Sequence, residues 1–222
     1  MIKSSKLSQY SNIWHGFSTV SDGDLLSKSM PLALITAQQI HGNNIAVVDN
    51  INTTRPIVKT DGMITALTNI ALVIKTADCV PLLLFDPINK IIGIAHAGWR
   101  GTLSNISREI VDKMKKSGSD PKGVVAIIGP HIGACCYSVD KERISLFNRV
   151  IDYDSTAIIT NGSKYYLDLG KINYQQLVSE GIKPQNIESD IYCTSCQKDL
   201  FFSFRRDKQN SGRMLNFICL RN

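Results

Sequence analysis

Three apolar runs constrain this chain more than any other feature: Ile70 to Thr76, Val80 to Phe85 and Lys90 to His96, packed almost end to end. Each is rich in Val, Ile and Leu, is bounded by polar or turn residues, and has the length of a strand. Such runs read as buried strands. The intervening Asp86-Pro87-Ile88-Asn89 has the composition of a tight turn, so the second and third runs are expected to form a hairpin.

A helix should follow the third run. Leu103, Ile106, Ile110 and Met114 recur at three- and four-residue spacing. Lys113, Lys115 and Lys116 near its end suit the helix dipole, and Gly118 is a natural stop. Gly123 to Ile128 reads as another buried strand. Helices are expected at Asp140 to Val150 and Lys171 to Glu180, the latter ending before Gly181 and Pro184. Strands are expected at Tyr165 to Asp168, Asp190 to Cys193 and Met214 to Leu220. This mixed order predicts an α+β fold, a single domain over residues 1–222 with helices packed on mixed β-sheets. No internal repeat, low-complexity tract or Pro/Ser-rich linker divides the chain.

At 222 residues, 43% hydrophobic and 20% charged, the chain can bury a substantial core and is far from a disordered composition. The net charge of +6 favours an anionic partner. Its cations are scattered, and the densest group (Lys198, Arg205, Arg206, Lys208, Arg213) is interleaved with apolar residues. No nucleic-acid-binding module is recognisable, so a phosphate-sized anion is the simpler expectation. Met1 to Trp14 lacks the apolar core of a signal peptide, and no run nears the ~20 apolar residues that cross a bilayer. The expected compartment is the cytoplasm, without membrane association, where the six cysteines are thiols or metal ligands.

Three residues stand beside turn-forming or strand-terminating segments: His41 in Gln38-Gln39-Ile40-His41-Gly42, Cys79 in Thr76-Ala77-Asp78-Cys79, and His96 opening His96-Ala97-Gly98-Trp99-Arg100-Gly101. Two imidazoles and a thiolate are a set that zinc accepts, with a fourth position open for water. That is the pattern of a catalytic site. An isolated His or Cys is more often simply packed, and spacings of 38 and 17 residues match no local zinc signature. On spacing alone both readings stay open.

The segments around these residues resemble the laccase-domain family, first labelled multicopper polyphenol oxidases and later assigned as purine nucleoside phosphorylases and deaminases. Members are also described as peptidoglycan editing factors. The matching pieces are Gln39-Ile40-His41-Gly42, Thr60-Asp61-Gly62, Thr76-Ala77-Asp78-Cys79-Val80-Pro81 and His96-Ala97-Gly98-Trp99-Arg100-Gly101. They continue with Ile128-Gly129-Pro130-His131-Ile132-Gly133, Cys136-Tyr137 and Phe202-Ser203-Phe204-Arg205-Arg206. The resemblance implies that His41, Cys79 and His96 bind the metal. It places Asp78 and Arg100 beside them in the catalytic site and tips Arg205 and Arg206 towards binding an anion.

Two departures from the family pattern bear on the pocket. Relatives carry an Arg and a Gly pair after Gly16-Phe17-Ser18-Thr19, where this chain has Val20 and Ser21, and its stretch from Thr19 to Gln38 is shorter. Ser138 stands where the family commonly has Glu. The pocket is therefore expected to be more open. Of the other thiols, Cys193 and Cys196 form a CxxC pair with no second CxxC, and Cys135 and Cys136 are adjacent. All four are expected to be packing thiols. His131 is expected to be structural, and His15 structural or exposed.

By resemblance, the leading expectation is a zinc-dependent purine nucleoside phosphorylase acting on adenosine, inosine or methylthioadenosine with phosphate. It would act as a monomer or weak homodimer. Adenosine deamination fits the same centre, because zinc lowers the pKa of bound water towards ~7. The alternatives are a zinc amidase editing peptidoglycan precursors, a cysteine hydrolase using Cys79 with His96 as base, a copper-dependent polyphenol oxidase, and a non-catalytic binding module. Copper is the less suitable metal, since one such trio cannot form a multicopper cluster.

Overall fold

The computed structural model describes residues 1–22, 33–53, 55–150, 155–189 and 192–222. In chain order its strands are β1 (Ile13–Phe17), β2 (Ala33–Thr36), β3 (Ile45–Val47), β4 (Gly62–Thr65), β5 (Ile70–Thr76), β6 (Val80–Asp86) and β7 (Ile91–Ala97). They continue as β8 (Val125–Ile128), β9 (Ser138–Val139), β10 (Ile158–Asn161), β11 (Lys164–Leu167), β12 (Ile187–Ser189) and β13 (Met214–Leu220). The helices are α1 (Trp99–Leu103), α2 (Ile106–Lys116), α3 (Lys141–Val150), α4 (Leu169–Ser179) and α5 (Phe204–Asp207).

Among these residues the strands form a six-stranded sheet of order β12-β8-β6-β7-β4-β3, a four-stranded sheet of order β1-β13-β5-β2, and a small β10-β11-β9 sheet. Both larger sheets mix parallel and antiparallel pairs, as the α+β reading requires.

The near-continuous apolar runs follow from a sheet buried on both faces. Along β6, Val80, Leu82 and Leu84 pack in the cluster that holds Ile106, Ile110 and Met114 of α2 and Ile172 and Leu177 of α4. The alternate residues Leu83 and Phe85 pack against Ile70, Leu72 and Ile74 of β5 and Ile218 and Leu220 of β13. The two-residue period of a strand thus sends one set of side chains to the helices and the other to the second sheet. Truncating a fully buried side chain here, Leu82→Ala for instance, is expected to cost about 2–5 kcal/mol.

The β6–β7 hairpin forms as expected, with Pro81 opposite His96 and Asp86 opposite Ile91. Asp86 shapes its turn by accepting N–H bonds from Ile88 and Asn89. The helix expected after β7 is interrupted. Asn105 takes a left-handed conformation (φ 63°), which Asn tolerates better than most residues, and its carbonyl starts α2 by accepting from Arg108 and Glu109. Gly118 ends α2 at φ 103°. Of the strand expected at Asp190 to Cys193, Asp190 and Ile191 lie outside the described residues, as do residues 23–32 of the shortened N-terminal stretch.

Candidate metal centre

The β6–β7 hairpin delivers two of the three expected ligands. Cys79 immediately precedes β6, and His96 lies near the end of β7 opposite Pro81, two residues beyond Cys79. His41 arrives on a separate loop before β3. The three donor atoms lie within 4.8 Å of one another, and the His41 and His96 rings meet edge to face at 4.7 Å. His96 is buried, Cys79 half-buried and His41 exposed, so the centre opens to the surface on one side.

Asp61 organises this trio. Its carboxylate is fully buried and accepts the backbone N–H groups of Ile40, His41 and Gly42 at 3.1, 2.9 and 2.8 Å. His41 has φ 61°, which curls three successive N–H groups into one anion-binding nest. The same carboxylate lies 2.9 Å from His96 Nδ1. A proton held on Nδ1 by Asp61 leaves Nε2 as the ring nitrogen available for a metal. Burial would raise the Asp61 carboxyl, but the His96 and main-chain hydrogen bonds outweigh it and hold the group below its ordinary range. Sequence reasoning gave Asp61 no role. Its signal was the Thr60-Asp61-Gly62 segment, but no local spacing ties it to His96.

Protonation follows the same logic. Burial opposes the Cys79 thiolate, yet His96 and His41 bring its pKa down to about 6. Burial likewise opposes the imidazolium of His96, yet Cys79 and Asp61 raise it to about 9. The trio thus favours a thiolate, the form a metal takes. Gly98, at the start of α1, completes the cradle. A Cβ there would stand 2.9 Å from His41 Nδ1 and 3.2 Å from Cys79 Sγ. The donor set and this glycine-lined gap both fit a zinc ion with three protein ligands.

The trio lies in a cavity of about 690 Å³. Cations dominate its wall: Lys75, Arg100, Arg143, Arg205, Lys208 and Arg213. Trp99, Tyr137 and Phe204 add aromatic surface. Arg100 and Arg143 both lie over the Trp99 ring at about 4.5 Å, and Arg205 over Tyr137 at 5.0 Å. Arg205 Nη1 also donates to the Ser138 carbonyl at 2.9 Å. Arg143, on α3, was missed in the sequence because it lies outside the matching segments, six residues after Tyr137.

Two expected site residues are engaged elsewhere. Asp78 lines the cavity, but its carboxylate accepts from Thr194 Oγ1 at 2.7 Å and from the Arg205 N–H at 2.6 Å. With φ 86° at Asp78, the turn that presents Cys79 is strained and held by these bonds. Arg206 does not reach the cavity lining. Its guanidinium donates to the carbonyls of Thr194, Ser195 and Phe201 and to Asp207, which uses all five donors. His131 is buried, its Nδ1 on the Gly129 carbonyl, and lines a different cavity. His15 accepts from the Ser4 N–H in a buried position among other elements.

A family model described as multi-copper polyphenol oxidoreductase laccase matches residues 24–221. The chain is 38% identical over 164 residues to the purine nucleoside phosphorylase YlmD of Bacillus subtilis, covering 73% of this chain and 59% of that protein. It is 32% identical over 194 residues to the adenosine deaminase RL5 of an unknown prokaryotic organism, covering 83% of this chain and 74% of that protein. The crystal structure of YlmD from Geobacillus stearothermophilus superposes with a TM-score of 0.89 at 27% identity, covering 99% of this chain and 94% of that one. The chain thus spans about three fifths of the length of the Bacillus subtilis relative.

Proposed function

This chain belongs to the multi-copper polyphenol oxidoreductase laccase family, and from that premise we propose that it is a zinc-dependent purine nucleoside phosphorylase. Its substrates are adenosine, inosine and methylthioadenosine, with adenosine deamination as a second activity of the same centre. In this reading residues 1–222 act as one cytoplasmic catalytic unit, a monomer or weak homodimer.

The observation that carries it is the convergence of one His/Cys/His donor trio with a cavity walled by cations and aromatics. Aromatic surface suits a purine and the cations suit a phosphate, within a volume usual for small-molecule sites. The names of two relatives, a phosphorylase and a deaminase, support the substrate class. The second donor group among the described residues is four cysteines without an imidazole. That speaks against a multicopper oxidase, whose copper sites are built on histidines.

His41, Cys79 and His96 would hold the zinc, which supplies Lewis acidity at its open position. Asp61 fixes the His96 tautomer and shapes the His41 loop. Arg205 and Arg100 bind and orient phosphate, so that a phosphate oxygen bonds to the ribose C1′ as the bond to the purine nitrogen breaks. The products are the free base and ribose 1-phosphate, or 5-methylthioribose 1-phosphate when the substrate is methylthioadenosine. Asp78 acts as a positioning residue, holding the Cys79 turn through Thr194 and the Arg205 N–H.

One observation favours a second reading. Cys79, His96 and Asp61 form a hydrogen-bonded series of nucleophile, base and orienting carboxylate. The same test separates the two. Adenosine is incubated with and without phosphate, before and after chelation, and products and intact mass are measured. The zinc phosphorylase yields ribose 1-phosphate only with phosphate, stops on chelation and recovers with zinc, without an adduct on Cys79. Turnover by metal-free protein with a Cys79 adduct would establish the cysteine hydrolase instead.

A further inference from the structure

The chain brings together a second group of soft donors outside the lining of the substrate cavity. Cys135 and Cys136 lie in the loop after β8, and Cys193 and Cys196 in the loop after β12. Their four Sγ atoms all lie within 4.8 Å of one another. Cys136 and Cys196 approach to 3.3 Å and Cys135 and Cys196 to 3.6 Å, and all four are free thiols. The expectation of separate packing thiols is therefore corrected. The adjacent cysteines and the CxxC pair meet because the loops are bridged: His131 pairs with Cys193, and the Thr194 N–H donates to the His131 carbonyl.

The geometry points to a zinc ion bound by Cys135, Cys136, Cys193 and Cys196, separate from the nucleoside site and independent of that assignment. A tetrahedral tetrathiolate with Zn–S near 2.3 Å sets its sulfurs about 3.8 Å apart, within the spread seen here. Four neutral thiols gain little from such crowding, and four thiolates repel each other unless a dication lies among them. The surrounding backbone is already arranged for sulfur. The Gly133 N–H donates to Cys193 Sγ at 3.3 Å, a bond that orients a ligating thiolate. Gly133 also lacks the Cβ that would stand 3.3 Å from Cys135 Sγ and 3.5 Å from Cys193 Cβ.

With all four positions filled by protein, the ion has no place for substrate and its role is structural. It clips together the two loops that grip Asp78. Thr194, between the paired cysteines, binds the Asp78 carboxylate, and the Ile132 N–H binds the Asp78 carbonyl. The clip thereby braces the turn that presents Cys79 to its own metal.

The test is zinc content and zinc-edge X-ray absorption on protein purified under reducing conditions and dialysed free of loose zinc. Wild type is expected to hold about two zinc ions per chain, and His41→Ala about one, with a sulfur-only shell. Cys196→Ser in the His41→Ala background should lose that remaining ion. If the double variant does not fold, the sulfur-only shell of His41→Ala decides alone. Metal-free His41→Ala would overturn the proposal. So would a zinc with nitrogen ligands in that variant, or a wild-type mass about two hydrogens light from a Cys136–Cys196 disulfide.

Discussion

Asp61 Oδ1 and His96 Nδ1 stand 2.9 Å apart, at a point where the carboxylate has no solvent exposure at all. One carboxylate thereby serves two of the proposed ligands, since it also accepts the His41 N–H. Asp61→Asn keeps the shape but removes the charge that retains the Nδ1 proton. Zinc affinity, measured by competition with a chromogenic chelator, is expected to fall roughly 10- to 100-fold. Unchanged affinity would mean that Asp61 serves the fold alone.

Gly98→Ala tests the cradle directly. Its new methyl would meet His41 Nδ1 at 2.9 Å and Cys79 Sγ at 3.2 Å, while the φ of −73° suits alanine. The strain therefore falls on the ligands. Overpacking of about 1–3 kcal/mol should weaken zinc binding at this centre roughly 5- to 150-fold. Circular dichroism should remain that of wild type. Full occupancy with unaltered affinity would show that the ion sits elsewhere.

Neighbouring arginines are expected to behave oppositely. Arg205→Gln removes a cavity cation but leaves its N–H on Asp78, so the KM for phosphate should rise about tenfold or more with little change in melting temperature. Arg206→Ala removes five donors from carbonyls and Asp207. It should cost about 2–3 kcal/mol of stability. Steady-state kinetics and urea unfolding of both variants distinguish the roles; equal effects on phosphate KM would refute the division.

His15 gives the fold an acid sensitivity. Burial, reinforced by Lys3, lowers its pKa from 6.5 to about 4 against the weaker pull of Ser4 and Glu188. Between those values the unfolded chain takes up a proton that the folded chain refuses, so stability falls as pH drops from about 6.5 towards 4. The loss reaches up to about 3 kcal/mol. Urea denaturation at pH 7 and 4.5 should show it, and His15→Gln should flatten the difference. A variant with the same slope as wild type would move the sensitivity to other groups.

What the sequence revealed depended on how far each feature reaches along the chain. β5, β6 and β13 were legible because double-sided burial leaves an apolar run that nothing else explains. β3 and β4, only three and four residues long, carry no such signature. Their pairing is decided by β7 and by each other. The apolar spacing of Leu103, Ile106 and Ile110 runs straight across the left-handed Asn105, which hides the break between α1 and α2. At the site, resemblance marked His41, Cys79 and His96, but their convergence is a property of the hairpin and the Asp61 loop. The four-cysteine cluster stayed invisible because its halves are about sixty residues apart and meet only through the β-bridge of His131 with Cys193.

The ladder that pairs Pro81 with His96 has a kinetic consequence. Cys79 and His96 sit at one end of a hairpin buried between two layers, so their separation changes only if the hairpin itself opens. His41 hangs on a loop tied down by the Asp61 carboxylate and is exposed. In the proposed zinc centre, loading and release of the ion would thus be one-sided, with the hairpin pair as a fixed seat and His41 as the latch. Metal exchange should keep pace with local opening of residues 40–42, as read by amide hydrogen exchange, and not with global unfolding.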